Sequence, residues 1–568
     1  MHYLLMRISV ALVLSCLLLV GNAGLFQKYY DEALTIAKAM TLDQKIGQTI
    51  QIDFGAIANS SGMFPEEAAK YFLGSLLVGG NGAPDEDGNL IGDYGDEFQT
   101  VKIYANATME KWQKMSAKFN YTVDVKVGAK TYKIKALLAT DAVHNNQHVA
   151  GTILFPHNSG LACSNNPQHF YNQGKWTAKN VKESGFDYAF APTVAVSHNP
   201  HWGRFYETMG SNPEMISKYA QAYVEGLQGK PDALTGVIGS VKHYIGDGAT
   251  MYGADEGNVH VSNFKTFMEH NVQGYKGAIA SEVATVMCSY SAINFLPMAI
   301  STMLTTNLRQ DLGFDGFVIS DYDELGRIIY QHLPTSFQTM AGFNESAASA
   351  MNAGIDMMMI PGFQGEQNFK QYIDGLKDSL QAQTVTEERL NDAVARILSV
   401  KLAIGLVDTG SGSNVRKESP VLEDSETTEY EDSLNAVHES LVLLKNEQKL
   451  IPLKTENLDN IIFVGERIVN IYGNNALYQD FNNIGLQCGG WSLRWQGFMG
   501  NGLWEGDNKI KTNATSVLDA LNNLKQKVSM MISSSTPSTP NTPPSPTPTR
   551  SRRKGTSTSA TSPPSPKA

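Results

Sequence analysis

Between residues 40 and 405 short apolar runs alternate with stretches of helical period, and no other feature restricts the fold as much. The runs are 46–53, 74–80, 136–144, 188–196, 240–248, 285–291, 317–323 and 355–362. Apolar runs of this length between helical patterns predict strands buried on both faces, joined by crossover helices. The intervening pattern is explicit over 213–227, where Ile216, Tyr219, Ala220, Tyr223, Val224 and Leu227 fall on one helical face. Asn212 is placed to cap that helix, Pro213 to open it and Gly229 to stop it. A second helix, capped by Thr384 or Thr386, gathers Leu390, Ala393, Val394, Ile397 and Leu398. Eight such strands predict an α/β fold of the (β/α)8 TIM-like barrel type with insertions. A doubly wound open sheet gives the same alternation, and periodicity does not separate the two.

The barrel, read as 24–407, leaves room in a chain of 568 residues for more than one domain. Residues 1–23 read as a signal peptide: Arg7 is the positive charge, 8–20 the apolar core, and Gly21-Asn22-Ala23 the cleavage site. That core is shorter than the ~20 residues of a membrane-spanning helix. The expectation is therefore a secreted protein, or one of a secretory or lysosome-like compartment, with no membrane span in the mature chain. Sequons at Asn59, Asn106, Asn120, Asn344 and Asn513 fit that route. The acidic, polar stretch 408–432 reads as a linker. Residues 433–532 read as a partial α/β sandwich domain that stops short, with apolar strands at 441–444 and 461–464. From 533 to 568 Ser, Thr and Pro dominate and no acidic residue occurs. Such a segment buries too little apolar surface to offset its ordering entropy, so a disordered tail is expected.

A net charge of −11 excludes a nucleic-acid binder, which needs a basic footprint for phosphates. Beyond Cys16 only Cys163, Cys288 and Cys488 remain, with no C-x-x-C spacing, so a thiolate zinc site is excluded and at most one disulfide could form. His144 and His148 are four apart but lack the Glu of H-E-x-x-H, and no metal site is read there.

Functional residues of a barrel come from the C-terminal ends of its strands. Three runs end in reactive side chains: 136–141 in Asp141, 240–248 in Lys242, His243 and a glycine loop, and 317–323 in Asp321, Tyr322 and Asp323. Each has a plainer reading. Asp321 or Asp323 could cap the helix that begins at Glu324, Lys242 and His243 could be loop residues, and Gly246-Asp247-Gly248 could be a turn. Trp491 and Trp495 could pack, or could stack on a sugar face. Together the strand ends supply a carboxylate nucleophile candidate and fixed donors and acceptors for hydroxyl groups, as a glycoside site requires.

The strings Leu138-Ala-Thr-Asp-Ala142 with His144, Phe155-Pro-His-Asn158, Asn199-Pro-His-Trp-Gly-Arg204, Val241-Lys-His243, Thr285-Val-Met287, Phe317-Val-Ile-Ser-Asp321, Leu441-Val-Leu-Leu-Lys-Asn446 and Gln487-Cys-Gly-Gly-Trp491 resemble glycoside hydrolase family 3. The likeness runs in order over about residues 30–525 and is nearest to its secreted β-glucosidases and exo-acting β-glucan hydrolases. It implies a barrel followed by an α/β sandwich, with the active site between them. It implies Asp321 as nucleophile of a retaining reaction. Asp141, Arg204, Lys242 and His243 would hold the non-reducing glucosyl unit, with Tyr290 beside the nucleophile. Trp495 would form one wall of a clamp on the next sugar, and Tyr322 stands where the opposing wall is often Trp. No cofactor and no metal is implied, since carboxylates and water suffice; the oligomeric state is not readable. The N-acetylglucosaminidase branch, which carries a His–Asp pair in the loop after the Lys-His strand, is disfavoured because loop 246–256 has no histidine. The likeness further implies an acid/base Glu from the second domain. No acidic residue follows Val528, so this chain is expected to lack it, with Glu256 or Asp323 as the substitutes at hand. Two functions follow: an exo-β-glucosidase, or a glucan- or glucoside-binding protein without turnover.

Overall fold

The computed structural model describes residues 24–535 apart from 55–57, 60–61, 64, 81, 93–103, 105, 231–232, 329–339, 362–365, 409–427, 453, 455–466, 472–473, 479–483, 496, 498–501, 506–507 and 512–514. Eight parallel strands form one sheet: β1 (Ile50–Asp53), β2 (Ser75–Val78), β3 (Leu137–Thr140), β4 (Tyr188–Ala189), β5 (Ile238–Tyr244), β6 (Thr285–Cys288), β7 (Phe317–Ile319) and β8 (Met358–Ile360). Each lies within, or for β5 across the start of, one of the eight apolar runs. From β1 to β7 each strand pairs with its neighbour in sequence, and β8 returns to β1 in the register Ile50↔Met358, Gln51↔Met359, Ile52↔Ile360. A bridge between Ile319 and Met357 joins β7 to the start of β8, with Ser320 N–H donating to the Met357 carbonyl at 3.0 Å. Sequential order with first and last strands paired is a barrel, which excludes the open doubly wound sheet.

Alternation along the strands divides the core into two layers. Leu137, Ala139, Tyr188, Ile238, Met287, Phe317, Ile319, Met357 and Met359 pack together inside, while their sequence neighbours pack outward against the helices. Leu25 and Phe26 join the inner cluster and plug the N-terminal end. Their backbone N–H groups donate to Glu282 and Asp315, just ahead of β6 and β7. From that plug α1 (Gln27–Ala39) leads away.

The helices obey the sequence signals. In the outer ring, α2 (Pro167–Glu183) opens with Pro after its cap, Asn166. The expected helix is α3 (Pro213–Gln228): Asn212 accepts from Glu214 N and Met215 N, and Gly229 ends it at φ 78°. Thr386, not Thr384, caps α4 (Glu387–Ala403). One boundary differs from expectation. Positions 46–48 close a helix, Leu42–Gln48, because Thr41 and Gln44 form a reciprocal capping box that holds the chain helical up to β1. Cys163, Cys288 and Cys488 are unpaired.

Beyond β8 and α4 the architecture changes. Positions 409–427 of the expected linker lie outside the described residues, but 429–432 do not behave as linker. Thr428 and Glu431 form a capping box that starts α5 (Glu429–Ser440). Asp432 accepts from Trp176 Nε1 at 2.7 Å, and Glu429 from Asn145 and Asn180, which dock α5 against α2 and the loop after β3. The expected strand at 441–444 is absent: the segment makes no ladder, and its side chains are exposed, Leu444 to 91%. A strand needs a neighbour to satisfy its backbone, and none of the described residues supplies one. Positions 461–464 lie outside the described residues. Among the described residues beyond 408, strands occur only as two separate pairs, Arg467–Ile471 with Asn474–Tyr478 and Gly502–Glu505 with Asn508–Lys511. A last helix, Val517–Ser535, runs past the expected start of the tail. No described helix is long and apolar enough to cross a membrane.

Candidate active site

The strand ends converge as their sequence position requires. Asp141 follows β3, Lys242 and His243 lie in β5, and Asp321 follows β7 by two residues. Lys242 Nζ reaches Asp141 Oδ1 at 3.0 Å, and both side chains are buried. His243 is the hub. Its Nδ1 bonds the Asp247 carboxylate, and its Nε2 faces Asp321 Oδ2 at 3.4 Å and Arg204 Nη2 at 3.3 Å. Asp321 is held from its own turn: Oδ1 accepts from Tyr322 N at 2.6 Å, and its N–H donates to Glu324 Oε2 at 2.8 Å. Asp323 sits at the N-cap position with φ 56° and makes no side-chain capping bond, while the Asp321 side chain accepts from Tyr322 N, so neither aspartate caps the helix with its carboxylate.

Arg204 is fixed by a fork to Glu207, Nε at 2.8 Å and Nη2 at 2.9 Å. Burial works against the Glu207 charge, but the adjacent guanidinium outweighs it and holds the carboxyl far below the usual range. Asp247 shows the same balance: burial opposes its charge, and the His243 ring, with further help from Arg204 and Ser289, pulls it down. Tyr290 donates its hydroxyl to the Tyr322 carbonyl, and the Tyr322 hydroxyl donates to Asp53 Oδ2 at 3.1 Å. Thus Asp141, Arg204, Lys242, His243 and Asp321 are brought together, with Tyr290 and Tyr322 joined beside them.

The far segment 488–495 comes to this cup. Trp491 Nε1 donates to Glu207 Oε1 at 3.0 Å, and Lys242 Nζ lies 5.4 Å from the Trp491 ring centre. Three histidines hold the segment by its carbonyls: His144 Nε2 to Trp491 O at 2.9 Å, His148 Nδ1 to Leu493 O at 2.8 Å, and His157 Nε2 to Cys488 O at 3.0 Å. Burial pushes the His144 imidazole down to about 3, so it stays neutral, with one N–H for two carbonyls, Trp491 O and Phe155 O, the latter 3.0 Å from Nδ1. The histidine pair thus clamps backbone. At Gly80, after β2, an added Cβ would stand 2.7 Å from Trp495 N, so only glycine lets the segment approach there. The Trp495 side chain is half exposed.

Sequence reasoning missed Glu207 and Glu324 and took Asp247 for part of a turn. Glu207 falls three residues after Arg204 and Asp247 four after His243, a spacing that could have flagged both. Glu256 is engaged by Arg327, whose guanidinium also lies 4.2 Å from the Tyr290 ring. A carboxylate so paired is poorly suited to carry a proton to a leaving group. Among the described residues no group of three or more His, Cys, Asp or Glu could hold a metal ion.

A parallel barrel whose strand ends gather carboxylates, Arg, Lys and His into one cup has the arrangement in which barrels of this class place their functional residues. Residues 41–400 match the glycosyl hydrolase family 3 N terminal domain, and the chain belongs to that family. It is 27% identical over 468 residues to a lysosomal beta glucosidase of Dictyostelium discoideum, covering 81% of this chain and 52% of that protein. It is 27% identical over 441 residues to a periplasmic beta-glucosidase of Salmonella typhimurium, covering 77% and 50%. The crystal structure of an exo-1,3/1,4-beta-glucanase from a Pseudoalteromonas species superposes with a TM-score of 0.66 at 29% identity, over 88% of this chain and 56% of that one. The chain thus spans about half the length of the curated relatives it matches.

Proposed function

We propose that this chain is a glycoside hydrolase that releases glucose from the non-reducing end of β-glucosides or β-glucans with retention, and that Asp321 is its nucleophile. One observation carries the reading: the buried Asp321 carboxylate shares His243 with a web that also fixes Arg204, while Lys242 pairs with Asp141. A sugar is a ring of hydroxyls, and recognising it takes donors and acceptors already held in place. Asp141, Arg204, Lys242 and His243 bind the glycone, and Tyr290 packs beside the nucleophile. Tyr322 and Trp495 flank the next sugar. Asp321 attacks the anomeric carbon to give a covalent glycosyl-enzyme as the aglycone oxygen takes up a proton, and water then releases glucose. The proposed layout is a catalytic barrel over 24–407 and a second unit over 433–532. The names of the two curated relatives support a lysosome-like or other non-cytosolic compartment.

The test is turnover of the purified chain on dinitrophenyl β-glucoside, cellobiose and laminaribiose, with Asp321→Asn as control. The aryl leaving group departs without a proton, so its cleavage reads the nucleophile alone. Loss of aryl-glucoside cleavage in Asp321→Asn supports the assignment. Cleavage of the disaccharides as well means that a proton donor is in place. Saturable glucoside binding without turnover of any substrate overturns the enzyme in favour of a binding protein.

A further inference from the structure

Behind the nucleophile stands a carboxyl that this chemistry does not use. Glu324 opens the short helix Glu324–Arg327 and is 3% exposed. Its Oε2 accepts the Asp321 N–H at 2.8 Å, and the Cys288 thiol, at the end of β6, shares a hydrogen bond with the same carboxyl. The titratable and charged groups around it are Asp321 on its own turn, Arg327 one turn on, and Cys288 and Tyr290 from the end of β6. Burial, joined by the charge of Asp321, outweighs the Asp321 N–H, the Cys288 thiol and Arg327, which all favour the ionised form, and pushes the carboxyl up to about 8. A plainer role exists: Glu324 N also donates to the Asp321 carbonyl at 3.3 Å, so the pair resembles a capping turn. A cap, however, asks for no proton, since an ionised carboxylate accepts a backbone N–H more strongly than a neutral one. Two carboxylates in one dry site do not both ionise without cost, and a protonated carboxyl still offers an acceptor oxygen.

We propose that Glu324 is a proton-bearing positioning residue for Asp321: as a neutral acid it fixes the turn that aims the nucleophile and keeps a second negative charge from standing behind it. This rests on the assignment of Asp321 above. When Glu324 gives its proton to solvent, repulsion between the two carboxylates loosens the turn and moves Asp321 off His243.

The experiment follows kcat/KM of the full chain on dinitrophenyl β-glucoside between pH 5 and pH 10, for wild type, Glu324→Gln and Glu324→Leu. Wild type is expected to lose activity on an alkaline limb centred near 8, about tenfold by pH 9. Glu324→Gln, which keeps the acceptor but cannot ionise, starts a few-fold lower and lacks that limb. Glu324→Leu, without the acceptor, falls by at least about tenfold at every pH. An unchanged limb in Glu324→Gln overturns the proposal, since a mere cap leaves the pH profile where it was. Infrared difference spectra supply the second readout. The carbonyl band of a protonated carboxyl, present at pH 6 and lost by pH 10, should disappear in Glu324→Gln, which separates it from the other carboxyls that burial raises, Asp315, Asp323, Glu282 and Glu429. No such band in a wild type that turns over overturns the proposal alone. The band without any turnover overturns the nucleophile assignment and the positioning role with it.

Discussion

The two regions on either side of residue 408 treat the same kind of sequence differently. In the barrel every apolar run is joined to a run on each flank, the last two through the Ile319–Met357 bridge, and all eight strands are buried on both faces. Beyond it, the run at 441–444 is as apolar as any of them, yet lies exposed without a ladder among the described residues. Hydrophobicity alone does not make a strand; it makes a segment that becomes one when neighbours on both sides are supplied. Two downstream stretches, α5 and 488–495, are held by hydrogen bonds to the barrel.

Substitutions can break or sharpen that contrast. The largest effect belongs to the barrel's own chemistry: Asp321→Asn should lower aryl-glucoside turnover by about 10⁴-fold or more with an unchanged urea midpoint. Next, Leu137→Ala, in the inner layer, should cost about 2–5 kcal/mol in urea unfolding. A third test uses Lys401, buried at the base of the barrel with Nζ donating to Gln48 Oε1 and the Gly74 carbonyl at 2.8 Å each. Burial pushes its amine down to about 7. Between that pH and the free-lysine value the unfolded chain holds the extra proton, so stability rises with pH by up to about 1.4 kcal/mol per pH unit and is level below pH 7. Lys401→Met should flatten that slope in melting curves taken from pH 6 to pH 10. Fourth, Trp491→Phe keeps the ring and removes the indole donor to Glu207; kcat/KM for the aryl glucoside should fall about tenfold, and an unchanged value would mean that the downstream segment adds nothing to the cup. Smallest of all, Leu444→Ser should move the urea midpoint by less than about 0.5 kcal/mol, and a loss like that of Leu137→Ala would show that the exposed run has a partner after all.

The barrel was legible because parallel strands buried on both faces leave unbroken apolar runs, and because Asn212, Pro213 and Gly229 act within a few residues of themselves. Asp141, Lys242, His243 and Asp321 were legible because a polar residue that ends such a run has one place to go. Arg204, Tyr290, Tyr322 and Trp495 came from family resemblance, and the geometry ties Arg204 to His243 and Tyr290 to Tyr322. Glu207 had a local signal in its spacing from Arg204, but its tie to Trp491, 284 positions away, had none, and Glu324 stayed hidden because Cys288, its partner, is on another strand. At 46–48 a local capping box overrode an apolar pattern, and at 441–444 a strand pattern lacked the neighbour that would realise it.

The pairing of β1 with β8 also sets a timetable. Ile50 leaves the ribosome long before Met358, and at roughly 5–20 residues per second the first strand waits roughly 15–60 seconds for its last neighbour. Throughout that interval one edge of the growing sheet offers unpaired backbone groups to any other nascent chain. The edge is closed only when the last strand arrives, so the hazard belongs to the growing chain and not to the finished barrel.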